Sequence, residues 1–175
     1  MTGIDKDTFR KTEGMLYRYF KQQKELRRLE CICTHLEAQK ERIRIDLRET
    51  NVDIEEESKS ITYEERVQTS SSCGSYAEKE LIRQITKLEN EWKYVRKKLL
   101  KNKARMRELE RQITPMKVNI DMLSKEAKEF VELKYGDGKS VNWIGDFKYG
   151  GARTTAKRKR IEIVSYIAHW SQLIK

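Results

Sequence analysis

The chain has one proline, eight glycines and three cysteines in 175 residues, and its AVILMFWYC share is only 37%. Each shortage excludes something. So little proline and glycine rules out a collagen-like or Pro/Gly-rich disordered chain. No apolar run approaches the roughly 18 residues that would cross a membrane. The apolar share is below the roughly 45–50%, glycine included, of a compact globular domain, so a thick single core is not expected. Cys31, Cys33 and Cys73 are odd in number. The start, Met1-Thr-Gly-Ile-Asp-Lys-Asp7, lacks both a signal-peptide core and an acylated Met-Gly, and the end, Gln172-Leu-Ile-Lys175, lacks a lipidation box. The expectation is unbridged thiols in a cytoplasmic protein with no membrane partner.

Charge is what the chain has in excess. Charged residues make up 38% of it, and 38 Lys+Arg against 28 Asp+Glu leave a formal net charge of +10. A polyanionic partner is implied, nucleic acid before a membrane surface.

The residues spell an all-α protein, a long helical hairpin or coiled-coil arm followed by a helix-turn-helix head. From about 8 to 48, apolar residues recur at three- and four-residue steps: Phe9, Leu16, Tyr19, Leu26, Leu29, Cys33, Leu36, Ile43, Leu47. This predicts a long amphipathic helix with Asp5 or Asp7 as N-cap and a loosened seam at Thr12, Gln22 and Lys40. Residues 49–74, with the acidic Glu55-Glu56-Glu57, hold neither periodicity and read as a linker. Ser75-Tyr-Ala-Glu78 is a capping box. Beyond it Leu81, Ile85, Leu88, Trp92, Val95, Leu99, Asn102, Met106, Leu109 and Ile113 alternate by four and three, the seam of a coiled coil. At about 1.5 Å per residue, 75–113 spans roughly 58 Å and needs a long partner. That partner is either the first helix, folded back, or another copy of the chain. Pro115 should end or kink the helix, although Met116, Ile120 and Leu123 keep the spacing, and the domain boundary is expected between 114 and 115.

In 115–175 the texture changes. Ser124 can cap a short helix carrying Phe130, Val131 and Tyr135, and Gly136-Asp-Gly138 stops it. Ser140 opens Val141-Asn-Trp-Ile-Gly-Asp-Phe147, and Tyr149-Gly-Gly151 breaks it. A third helix, from Ala152 to about Leu173, places Ile161, Ile163, Val164, Ile167, Ala168 and Trp170 on a broad buried face. Two helices across a tight glycine turn form a helix-turn-helix layout. The third helix starts Arg153-Thr-Thr-Ala-Lys-Arg-Lys-Arg160. At about 100° per residue Thr154, Thr155, Arg158 and Lys159 point outward, with Arg153 splaying from the first turn. Arginine suits guanine O6/N7, threonine a thymine methyl or a phosphate, and lysine phosphates. Candidate DNA-contacting residues are therefore Arg153, Thr154, Thr155, Lys157, Arg158, Lys159, Arg160 and Lys148. A basic stretch on the second long helix, with Lys93, Arg96, Lys97, Lys101 and Arg105, is either a second phosphate-contacting surface or the polar side of the coiled coil.

Other chemistry finds no constellation. On a helix Cys31 and His35 share a face while Cys33 points away, so one tetrahedral ion cannot take all three, and no metal is expected. His169 reads as a partly buried helix histidine. Gly136-Asp-Gly-Lys-Ser140 is too short for a phosphate-binding loop. No Ser/His/Asp or Cys/His set suggests a nucleophile, so neither an enzyme nor a cofactor is expected. Glu55–Glu57 is a solvated loop, a contact for a basic polymerase surface, or a shield for the basic helix.

Leu123-Ser-Lys-Glu-Ala-Lys-Glu-Phe-Val-Glu-Leu-Lys-Tyr135 resembles the Leu-Pro-x-x-x-x-x-Val-Leu-x-Leu-Arg-Tyr opening of region four in bacterial sigma factors. Ile144-Gly145 stands at that family's Ile-Ala pair and Thr154 at the threonine starting its recognition helix. Gly145, Tyr149, Gly150 and Gly151 depart from the usual Ala, Gly, apolar residue and Ser, so a different turn is expected. Together with Asp5-Lys-Asp-Thr-Phe-Arg-Lys-Thr-Glu-Gly-Met-Leu-Tyr-Arg-Tyr19 and Tyr63-Glu-Glu-Arg-Val-Gln-Thr-Ser-Ser71, the chain resembles the RinA-type phage transcriptional activators. The resemblance implies an activator of late phage genes, nucleoid-associated in a bacterial host, working at a promoter with host RNA polymerase, its arm forming a homodimer or docking on the polymerase. The rival readings are a small terminase-like DNA-packaging subunit and a coiled-coil adaptor with no nucleic-acid role.

Overall fold

The computed structural model describes residues 4–53 and 76–173. Among them are five α-helices, a π-helical turn and no strand: α1 (Lys6–Glu49), α2 (Tyr76–Asp121), α3 (Lys125–Val131), the turn Glu132–Gly136, α4 (Val141–Lys148) and α5 (Arg153–Leu173). The class is all-α, as the periodicities predict. The Ser75 cap, Cys73, Glu55–Glu57 and the Tyr63–Ser71 stretch lie outside the described residues.

Asp5, rather than Asp7, caps α1: its carboxylate accepts from the Asp7 N–H at 3.3 Å and its carbonyl from the Phe9 N–H at 3.0 Å. Thr12, a polar residue at a seam position, is buried because its hydroxyl donates to the Thr8 carbonyl at 2.8 Å and needs no outside partner. Of the two outcomes expected at Pro115, an end or a kink, the end does not occur: Pro115 lies inside α2. Pro115 is exposed while Ile113 and Met116 are buried beside it. The missing N–H thus falls on the solvent side, and the seam carries the helix on to Asp121.

The chain divides into two compact units, Met1–Cys31 with Ala104–Lys175, and Ile32–Lys103. The boundary expected between 114 and 115 therefore falls inside α2 and inside the first unit. In that unit α1 and α2 run antiparallel, with Gln22 bonded to Gln112 and Glu25 to Arg105. Leu16 and Tyr19 join Leu109 and Ile113 in one core with Phe130, Ile144 and Val164, so the start of α1 is part of the head. In the second unit the same two helices run antiparallel, Glu37 meeting Lys103 and Gln39 meeting Glu91, around buried Cys33, Leu36, Ile43, Val95 and Leu99. Pairing in both is within the chain.

Candidate nucleic-acid interface

Helices α4 and α5 are set by caps and glycines. Ser140 accepts from the Trp143 N–H at 3.1 Å to start α4, as Ser124 accepts from Ala127 to start α3. At the other end of α4, the Gly145 carbonyl accepts from the Tyr149 and Gly151 N–H groups at 3.2 and 3.1 Å. Gly150 and Gly151 take φ of +56° and +92°, backbone that L side chains rarely adopt. Gly145 is itself buried, and a Cβ there would lie 2.9 Å from the Arg153 Cα. Gly145, Gly150 and Gly151 are thus what lets α4 close onto the first turn of α5.

Buried Ala156, Ile163, Val164 and Ile167 fix the inner side of α5. Arg153, Thr154, Lys157 and Arg158 are exposed and Thr155 is half-buried. Ile161, expected on the buried face, is 56% exposed and extends the outward stripe of Thr154 and Arg158, at the edge of the turn that Val164 and Ile167 bury. His169 is exposed, not partly buried, because it lies opposite those same residues.

Three expected contact residues are held within the fold. Arg160 makes a two-pronged ion pair with Glu13 of α1, Nε to Oε1 at 2.7 Å and Nη2 to Oε2 at 2.6 Å, and sits over the Phe9 ring at 5.2 Å. The Tyr135 hydroxyl donates to the same carboxylate at 2.7 Å. Burial works to raise the Glu13 pKa, but the hydrogen bonds from Arg160 and Tyr135 and the charge of Arg160 hold it below the usual carboxylate range. Tyr135 is pushed up, by burial first and then by Glu13. Lys148 spans from α4 to α3, its Nζ 2.7 Å from Glu129 and 3.0 Å from the Glu126 carbonyl, with 17% of its side chain exposed. Tyr149 is pinned beside it, its hydroxyl 2.9 Å from Glu126; burial and that carboxylate push its pKa up to about 12. Lys159 pairs with Glu162 at 3.4 Å. No local pattern marks Arg160 and Lys148 as inward, since their partners lie on other elements, whereas Lys159–Glu162 is an i,i+3 spacing visible in the sequence.

Arg153 is engaged but still exposed. Its Nε and Nη2 donate to the two oxygens of Asp146 at 3.0 and 3.1 Å, an interaction that holds the Asp146 pKa low. Sequence reasoning also missed an aromatic pair on α4: Trp143 and Phe147 stack with ring centroids 4.8 Å apart, Phe147 being 70% exposed. Lys139 lies over the Trp143 ring at 5.0 Å. Spacing of four aromatic residues on a short helix is the signal that could have found the pair.

The basic stretch of α2 divides as well. In the second unit Lys93 pairs with Glu89 at 3.7 Å and Arg96 covers Trp92 at 5.3 Å, while Lys97 and Lys101 are exposed. In the first unit Arg105 is tied to Glu25 at 3.1 Å. Among the described residues no group of three His, Cys, Asp or Glu side chains is placed to hold a metal, and no helix is long and apolar enough to cross a membrane. Comparison with family models, with curated proteins and with solved structures finds no match for this chain.

Proposed function

We propose that the chain is a non-enzymatic, sequence-specific DNA-binding activator of the RinA kind, acting at a promoter with host RNA polymerase. One observation carries the reading: a tight glycine turn joins α4 to α5, and the first two turns of α5 present Arg153, Thr154, Lys157 and Arg158 outward while the opposite side is buried. A helix anchored in this way can enter a major groove, with arginine addressed to guanine and lysine to phosphate. The exposed Lys97 and Lys101 support a phosphate-contacting role for α2. The arm would dimerise or dock on the polymerase.

The test is to recover the genomic DNA bound by the full-length protein and transcribe it with purified polymerase. Transcription that depends on added protein, from a fragment whose binding weakens steeply as salt rises, supports the reading. A footprint confined to a packaging site, without effect on transcription, would favour a terminase-like subunit. Absence of salt-sensitive binding would leave the adaptor reading.

A further inference from the structure

We propose that Asp146 presets Arg153 to read the O6/N7 edge of one guanine, making Asp146 a specificity-determining residue that itself touches no base. The inference rests on the DNA-binding reading above. Its basis is which edge of the guanidinium is occupied. Asp146 takes the Nε–H and one Nη2–H. Of the five guanidinium donors that leaves both hydrogens of Nη1 and the second of Nη2. One hydrogen of each Nη forms the terminal fork, an edge that can meet guanine O6 and N7 together.

The backbone enforces the placement. Gly145, with no Cβ to hold α5 away, brings the last turn of α4 against the first residue of α5, so Asp146 and Arg153 face each other across the turn. Their side chains remain 48% and 59% exposed, so the fork is open to an incoming duplex. An ion pair this exposed adds little to stability. Asp146 also sits in the final turn of its own helix, where the macrodipole disfavours a carboxylate. A preset arginine loses less side-chain freedom on binding than a mobile one, and orientation separates guanine from other bases where charge alone cannot. A phosphate would also accept the fork, but a contact of that kind would strengthen binding to every sequence alike and give no base preference.

The experiment uses the full-length protein and a random-sequence duplex pool. After selection by the wild type, the enriched duplex and its single-base-pair variants are measured against wild type, Asp146→Ala, Asp146→Asn and Arg153→Ala. The wild type should lose roughly 10-fold or more on replacing one G·C pair, and Arg153→Ala should erase that penalty. Asp146→Ala should cut it to about 3-fold or less, with Asp146→Asn between, while affinity for unselected duplex holds or rises and Tm is unchanged. If Asp146→Ala keeps the full penalty, or weakens all sequences equally, the proposal falls while DNA binding stands. A lowered Tm with base preference intact would overturn it in favour of a purely structural role, Asp146 neutralising the positive end of α5. If the wild type enriches no sequence and its binding ignores salt, the DNA-binding reading itself fails.

Discussion

Residues 153–160 of α5 and 93–101 of α2 are both strongly basic, and they spend their charge differently. On α5, Arg153, Lys159 and Arg160 each meet a carboxylate, from Asp146, Glu162 and Glu13, while Lys157 and Arg158 are exposed and form no ion pair among the described residues. On α2, exposed Lys97, Lys98 and Lys101 form no ion pair among the described residues. On the DNA-binding reading proposed above, density of base alone would not identify a surface that reads sequence. Oriented cations discriminate; mobile ones supply affinity that salt removes.

The largest expected effect breaks the organised member of this comparison. Arg160→Ala leaves the Glu13 carboxylate partly buried without its cation, which should cost about 2–3 kcal/mol in urea unfolding, less than a fully buried pair because Arg160 is one-third exposed. Lys97→Ala should stay within about 0.5 kcal/mol. The same pair predicts a pH effect with a definite sign. Glu13 titrates below its ordinary value of 4.5, so its contribution is complete above that value and is lost as pH falls through the lowered one. Arg160→Ala should therefore flatten the acid limb of the stability curve relative to wild type.

Next is Gly145→Ala, which puts a methyl 2.9 Å from backbone at Arg153 and forces α4 and α5 apart. A loss of about 1–3 kcal/mol is expected, read as a fall in urea midpoint, with weakened DNA binding even where the protein stays folded. No change in either would mean that the turn does not set the interface. On α2, replacing Lys97, Lys98 and Lys101 together by alanine should make the plot of log affinity against log salt shallower by about 2–3, with base preference and Tm unchanged. If preference moves with the slope, the division between oriented and mobile cations is wrong.

What the sequence shows and what it hides follow the same division. The caps at Ser124 and Ser140, the Gly150-Gly151 turn and the α2 seam are local patterns, and the structure has each of them. Periodicity also gives the inner side of α5 at Val164 and Ile167. It does not say what stands opposite. Glu13 and Arg160 are 147 residues apart, and nothing near either announces the other, so the start of α1 reads as arm rather than head. Lys148 looks like one more solvent-facing lysine until α3 is placed beneath it. Pro115 does not end α2, because Met116 and Ile120 beyond it keep the apolar spacing and join the core.

The smallest effect contrasts the left-handed positions of the two units. In the head these are glycines, Gly138, Gly150 and Gly151, with φ of +73°, +56° and +92°. At the end of α1 the residue is Thr50, φ +53°, held while the Asn51 N–H donates back to the Asp46 carbonyl at 3.0 Å in a Schellman-like cap. A β-branched residue there costs about 1–2 kcal/mol, but glycine gives back part of that through the freedom it has when unfolded. Thr50→Gly should accordingly stabilise by only about 0.5 kcal/mol, seen as a small rise in urea midpoint. Gly151→Thr, introducing the same strain into the turn between α4 and α5, should cost about 1–2 kcal/mol and weaken DNA binding as well. Equal and opposite effects on stability, with DNA binding untouched in both, would show that the glycines serve the turn and not the surface it builds.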